Sequence, residues 1–325
     1  MTETFLGHDE VGGTPIGAPL STAAQGLTVK PLSPRLLAWR RFRRHKLAML
    51  SAIILVLLTI VVFFPSLLTK YDPLERIPEA DRLESPSAEH WFGTNGIRQD
   101  HLSRVLNGGQ ISLQIGLAVA LVSAVIGSIV GGVAGFLGGA IDNLLMRTTD
   151  LFLAIPGLVS LILITRVPEH QDWAVKLLGE AGTVRSIITA LALFFWMPMA
   201  RIVRGMVLSL KEKEFVEAAR AVGSSNARIL FRHLLPNCTG QIIVNITLSV
   251  AAAILTESAL SFLGFGVQSA TVPTWGNLLE QGRGQLGSEP HLVWFPGLAI
   301  MIVVLCVNYL GDGLRDAFDP RQVKA

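Results

Sequence analysis

Long uncharged runs alternate with short charged clusters along the chain. They extend from Leu47 to Thr69, Val105 to Ile141, Leu234 to Thr256 and Leu292 to Gly311. Each reaches the roughly 20 residues a helix needs to cross hydrocarbon. Two further apolar cores, Leu151 to Thr165 and Ser186 to Ala200, hold only 15 residues each and need neighbouring charged turns to span. The third span then carries Arg147 and Asp150 three residues apart on one helix face, where an interfacial ion pair is the simplest expectation. The fourth ends near Arg201 and Arg204, whose long stems can snorkel toward headgroups. The pattern predicts an all-α integral membrane protein with six transmembrane helices, at about 47–69, 112–138, 144–165, 185–204, 238–260 and 292–311.

Charge tests that count. With six spans, residues before 47, the 139–147 turn, the 201–237 loop and the C-terminus share one side. That side holds 18 of the 27 Lys and Arg against 10 of the 24 acidic residues. The opposite loops hold 9 basic and 12 acidic residues. A Lys and Arg excess marks the cytoplasm, so both termini and the 201–237 loop are expected there. Seven basic residues lie between Lys30 and Lys46, with no acidic residue between Val11 and Tyr71. Beside a span, such a run orients the chain rather than binding nucleic acid.

Composition agrees: of 325 residues, 50% are hydrophobic and 16% charged, well below the roughly 25% charged of soluble domains. Residues 1–29, rich in Gly, Thr, Ala and Pro, read as a disordered cytoplasmic tail. Residues 30–46 form a basic interfacial segment, 70–111 an outer loop, 112–320 the main body of the bundle and 321–325 a short tail. The first long apolar run begins at Leu47 with no small-residue cleavage pattern after it, so it reads as a retained anchor. Cys238 and Cys306 lie in or beside apolar runs without metal-ligand spacing and read as small buried residues. Gly127, Gly131, Gly135 and Gly139 recur every fourth residue and predict a stripe against which another helix packs closely.

The 201–237 loop is too patterned to be a simple connection. Phe215, Ala218, Ala219 and Val222 fall at helical spacing, with Lys211, Glu212, Lys213, Glu214, Glu217 and Arg220 as a wet face. Gly223 stops this helix. Ser224, Ser225 and Asn226 offer N-cap oxygens to a second, whose apolar residues Ile229, Leu230, Leu234 and Leu235 end at Pro236. Periodicity alone leaves two roles open for this helix-turn-helix: anchoring at the membrane surface or docking a partner.

The wording of the loop goes further. Glu217-Ala218-Ala219, Gly223 and His233-Leu234-Leu235-Pro236 resemble the E-A-A-x3-G-x9-I-x-L-P signature of the permeases of bacterial ABC importers, with His233 replacing Ile. The segments 200–205, 260–266, 273–276 and 311–320 are similar to the C-type permease of dipeptide and oligopeptide importers. The resemblance implies a bacterial inner-membrane permease whose cytoplasmic coupling helix-turn-helix, within 206–237, seats on a separate ATPase. Phe215, Glu217, Ala218, Ala219, Arg220 and Gly223 would lie at that contact. The implied partners are a second, B-type permease, two ATPase subunits and an extracytoplasmic substrate-binding protein. No G-x4-G-K-[ST] phosphate loop occurs in this chain, so ATP and Mg would belong to the ATPases, with no cofactor here. Where the family shows G-T-D-x-x-G-R-D, residues 93–100 read Gly-Thr-Asn-Gly-Ile-Arg-Gln-Asp, and Gln110 stands where a basic residue is common. Implied cargo is a di- or oligopeptide, with nickel chelates, glutathione or haem as alternatives.

Glu257 is an intramembrane carboxylate and hence a cargo-path candidate, unless a neighbouring helix satisfies it. Asp150 and Asn245 are weaker candidates, and Asn308 and Trp196 read as packing residues. No Ser–Lys pair or H-E-x-x-H set falls in a span, which argues against an intramembrane enzyme and a metal site. An ion-coupled carrier or channel would show charged pore residues or broken spans in repeated halves. The outer loop is acidic and broken by Pro73, Pro78 and Pro86. It reads equally as a docking surface or as a solvated lid with short helices. The segment around Pro273-Thr274-Trp275-Gly276 would, by resemblance, form a scoop at the cargo entrance.

Overall fold

The computed structural model describes residues 34–167, 172–178, 182–267 and 272–318, and among these the chain is helical with one isolated β-bridge, Thr94 to Asp100. The expected tail at 1–29 and the final residues 321–325 lie outside the described residues. Helix α1 (Pro34–Arg44) carries the basic run and lies against the far end of the last helix. His45 then caps α2 (Lys46–Phe63), its Nδ1 accepting the Ala48 N–H at 3.1 Å. Leu47, Leu50, Ile53, Val56 and Leu57 remain exposed along α2, an apolar surface that suits lipid and not water.

Helix α3 (His101–Leu137) begins eleven residues before the expected 112 and has 37 residues, about 55 Å at 1.5 Å per residue. Asp100 caps it by accepting the Ser103 N–H at 2.7 Å. The first three turns look too polar for a span, yet Leu102, Val105 and Leu106 are buried under Trp275 and Leu278. Gly138 and Gly139, both with positive φ, break the chain before α4 (Gly139–Ala154).

The expected continuous span 144–165 is absent. Helix α4 stops before Ile155 and Pro156, and α5 (Gly157–Arg166) leaves at a bend of 89°. The residue before a proline is driven out of helical geometry, and Ile155 has an extended ψ of 135°. A short α6 (Asp172–Leu178) precedes α7 (Val184–Leu210), which lies along α3 over much of its length.

That pairing rests on three of the four stripe glycines. A methyl on Gly127 would meet the Trp196 carbonyl oxygen and Met199 Cβ at 2.6 Å, and one on Gly135 the Arg204 carbonyl oxygen at 2.8 Å. At Gly131 it would be driven into the Ala200 carbonyl. Gly139 does not belong to the stripe. It is exposed beyond the end of α3, and its φ of 57° serves the break instead.

Helices α8 (Glu214–Ala221) and α9 (Asn226–Arg228) form an elbow; a π-helical segment, Ile229–Leu234, joins α9 to α10 (Leu235–Phe262). The second loop helix therefore does not end at Pro236. Proline lacks an N–H to donate, and Pro236 stands where the π-helical winding passes into α10. Helix α11 (Trp275–Gly282) is short, and α12 (His291–Phe318) runs seven residues past the expected 311. Gly313 lets Ala48 and Phe42 approach this extension closely. Among the described residues five helices are long and apolar enough to cross a membrane, six if the bent pair is one span.

Candidate functional site

The elbow is built from both ends inward. Helix α7 closes when the Lys211 N–H bonds to the Val207 carbonyl at 2.9 Å, and two residues on the chain enters α8. Glu214 and Glu217 stand in the first turn of α8 and Arg220 in its last, the arrangement the helix dipole favours. At its end the Gly223 N–H reaches Arg220 O at 2.9 Å and the Ser224 N–H reaches Ala219 O at 3.0 Å. Gly223 has a φ of 81° with open space around its Cα, so conformation and not close packing calls for glycine there. Ser225 accepts the Arg228 N–H at 3.4 Å and starts the second helix.

The elbow has an inner and an outer face. Val216 is fully buried among Val203, Val207, Ile229, Leu230, Leu234 and Cys238, with Ala219 packed beside it. Phe215 is 39% exposed and Val222 86% exposed. They point away from the bundle with Glu217, Ala218 and Arg220, while Phe231 on the second helix is 53% exposed. Val216, which the helical spacing left unnamed, makes the inner seat. Lys211 Nζ donates to the Gly135 carbonyl at 3.1 Å, so the elbow also grips the end of the α3–α7 seam.

The cargo-path candidates are not brought together. Glu257 is completely buried and its carboxylate accepts hydrogen bonds from Ser261 Oγ at 2.7 Å, Thr274 Oγ1 at 2.9 Å and Ser258 Oγ at 3.4 Å. In this conformation it ties α11 to α10 and lines no open path. Asn245 Nδ2 donates to the Gln241 carbonyl of its own helix at 2.8 Å. Trp196 is half-buried and Asn308 exposed.

Asp150 pairs with Arg201 at 2.6 Å, not with Arg147. One turn along, Arg204 grips Asp142 through Nε at 2.5 Å and Nη2 at 2.6 Å. The two arginines expected to reach for headgroups instead clasp α4 to α7. Tertiary approach of two helices, invisible in local spacing, decides the partner.

Sequence reading missed the importance of the 273–277 segment as a buried strut. Thr274 and Asn277 form a reciprocal capping box at the start of α11. Trp275 is 1% exposed; its indole N–H donates to the Val105 carbonyl at 2.9 Å, and Ser112 Oγ accepts its backbone N–H at 3.1 Å. Thr at N-cap with Asn three residues later was the available signal. At the same end of the bundle, the family departures Asn95 and Gln99 face each other. Asn95 Nδ2 donates to Gln99 Oε1 at 3.0 Å, and Asn95 Oδ1 accepts the Gln99 N–H at 2.9 Å. Among the described residues no cluster of three or more His, Cys, Asp or Glu could hold a metal.

Residues 123–324 match the family described as binding-protein-dependent transport system inner membrane component, and residues 33–86 match the N-terminal TM domain of oligopeptide transport permease C. The chain is 42% identical over 284 residues to the glutathione transport system permease protein GsiD of Shigella flexneri serotype 5b (strain 8401), covering 87% of this chain and 89% of that one. It is 40% identical over the same length and shares to GsiD of Escherichia coli O6:K15:H31 (strain 536 / UPEC). A chain from inward-facing conformations of the MetNI methionine ABC transporter aligns with 63% of this chain and 94% of its own length, at TM-score 0.45 and 20% identity.

Proposed function

The chain belongs to the family of binding-protein-dependent transport system inner membrane components, and from that premise we propose that its elbow, residues 211–237, is the seat of a separate ATPase that drives peptide import. As a member it is an integral inner-membrane permease of a bacterial ABC importer and is not itself catalytic. In this reading two ATPase subunits bind ATP and Mg, a B-type permease completes the pathway, and an extracytoplasmic binding protein delivers cargo. Both termini and the elbow face the cytoplasm, in keeping with the excess of Lys and Arg on that side. The cargo is a short peptide. The name of the relatives makes glutathione, itself a tripeptide, the first candidate.

One observation carries the reading: the elbow buries Val216 in the bundle while Phe215 and Val222 stay exposed on its other side. Exposed large apolar side chains amid charges mark a protein contact. An anchor serving only the membrane surface would need no firm seat on three helices. Val216, Ala219 and Lys211 make that seat on α7, α10 and α3, so a displacement of α8 moves all three. ATPase closure biases the bundle through its different affinity for the two arrangements.

The test is reconstitution of the complex in vesicles with Val222→Asp or Gly223→Val. Insertion and assembly of the two permeases should persist, while peptide-stimulated ATP hydrolysis and ATP-dependent uptake disappear. Uptake that survives both changes refutes the seat. Uptake that follows an ion gradient without ATP refutes the importer mechanism in favour of an ion-coupled carrier.

A further inference from the structure

At the end of the bundle opposite the elbow lies a cavity of about 220 Å³, between the start of α3, the 83–97 loop, α11 and the turn after it. Two α3 residues three positions apart, His101 and Arg104, line it on one helix face, and both are only 2% exposed. The Arg104 guanidinium donates through Nη1 to Gln99 Oε1 and through Nη2 to Gln281 Oε1 at 3.2 Å, and its Nε has no partner. Neither ring nitrogen of His101 makes a well-formed hydrogen bond, with only the Leu292 backbone in weak contact.

Among the described residues no carboxylate lies within 4 Å of Arg104; the ion pairs lie elsewhere. Asp100, its neighbour one turn away, is engaged by His90 at 3.0 Å and by the Ser103 N–H. Asn95, which lines the cavity, and Gln99, to which it is hydrogen-bonded, are both neutral. A buried guanidinium answered only by amide oxygens is an incomplete arrangement, since buried charge is ordinarily met by opposite charge. Arg is also the side chain best shaped to take a carboxylate through two parallel hydrogen bonds.

We propose that this cavity is a subsite for the free C-terminal carboxylate of a peptide cargo, bound by Arg104 with His101 as a second donor. The volume suits one small terminal residue and its carboxylate. The inference rests on the importer reading for the claim that this end of the bundle meets arriving cargo.

The complete importer, in lipid nanodiscs, is titrated with N-acetylglycine and, separately, with N-acetylglycinamide, which lacks the charge. Hydrogen exchange is followed in segments 95–107 and 276–286. Acid but not amide should protect both segments. Arg104→Gln should raise the half-saturating concentration ~10- to 100-fold, the size of a lost charge-assisted hydrogen bond pair. Gln281→Glu offers an internal carboxylate to the same guanidinium, so it should protect both segments without ligand and abolish the response to acid. Because it completes a charge pair and removes none, it remains informative if Arg104→Gln does not fold. Equal protection by amide, an unchanged response in Arg104→Gln, or a wild-type response in Gln281→Glu overturns the proposal. Protection by the cargo-free binding protein but never by N-acetylglycine would assign the carboxylate to that protein and also overturn the cargo subsite. If acid protects but no ATP-dependent uptake exists, the importer reading fails while the carboxylate site stands.

Discussion

Adding one methyl at Gly131 should separate packing from helix propensity in this bundle. In the native chain α3 and α7 are in backbone contact there, and the new Cβ would be driven into the Ala200 carbonyl, a group that has no rotamer by which to yield. Overpacking of this kind costs about 1–3 kcal/mol. Replacing glycine by alanine inside a helix returns roughly 0.5–1 kcal/mol through lower backbone entropy in the unfolded chain. The net loss for Gly131→Ala is therefore up to ~2.5 kcal/mol. Gly205, on α7, supplies the comparison, because a methyl there meets nothing within 4 Å. Gly205→Ala should be neutral or gain up to ~1 kcal/mol. The propensity gain is common to both, so the two variants should differ by the overpacking cost, ~1–3 kcal/mol, some 5- to 150-fold in the unfolding equilibrium. Denaturant unfolding in lipid–detergent micelles, followed by circular dichroism, measures the difference. Equal stability of the two variants would show that the seam between α3 and α7 does not depend on the missing side chain.

Glu257→Ala should cost about 3 kcal/mol or more, since three hydroxyls lose their acceptor inside the bundle. Glu257→Gln keeps an acceptor oxygen and should leave peptide uptake within about twofold, a typical reach of a lost charge that meets no cargo; a collapse of uptake with intact folding would restore the carboxylate to the cargo path. For the clasp between α4 and α7, a double-mutant cycle on Asp142→Asn and Arg204→Gln should give a coupling of about 1 kcal/mol. The two-point geometry favours more, but Arg204 remains one-third exposed to solvent. A coupling indistinguishable from zero would mean the pair adds no stability.

The apolar runs made most of the bundle legible because lipid demands helices of a minimum length, and the E-A-A and Gly223 pattern located the elbow. What escaped depends on contacts between segments. The first turns of α3 look like loop because Ser103, Arg104 and Asn107 are polar, yet they are covered by α11 and the outer loop. The break at Pro156 was hidden by apolar residues on both sides, although the proline itself was the signal. Asp150 had a plausible partner three residues away, and only the approach of α7 gave it Arg201 instead. Composition likewise marked Phe215 and Val222 as apolar but not which way they face, which Val216 decides. His101 and Arg104 were not among the candidate site residues. Their spacing of three just after the capping Asp100 was the clue.

The passage from α9 through Ile229–Leu234 into α10 is unbroken, and its middle stretch is π-helical. A π turn houses one residue more than the α-helix on either side of it. Excising one residue from 229–234 would restore ordinary winding and leave Ser225 and everything before it near its present bearing, because the wider turn already absorbs the ~100° that an added α-helical residue would contribute. The membrane half of the rod, from Val244 onward, would keep its bearing. The widened turn works as an expansion joint, lodging the surplus residue without twisting the cytosolic knuckle against the shaft on which it is mounted.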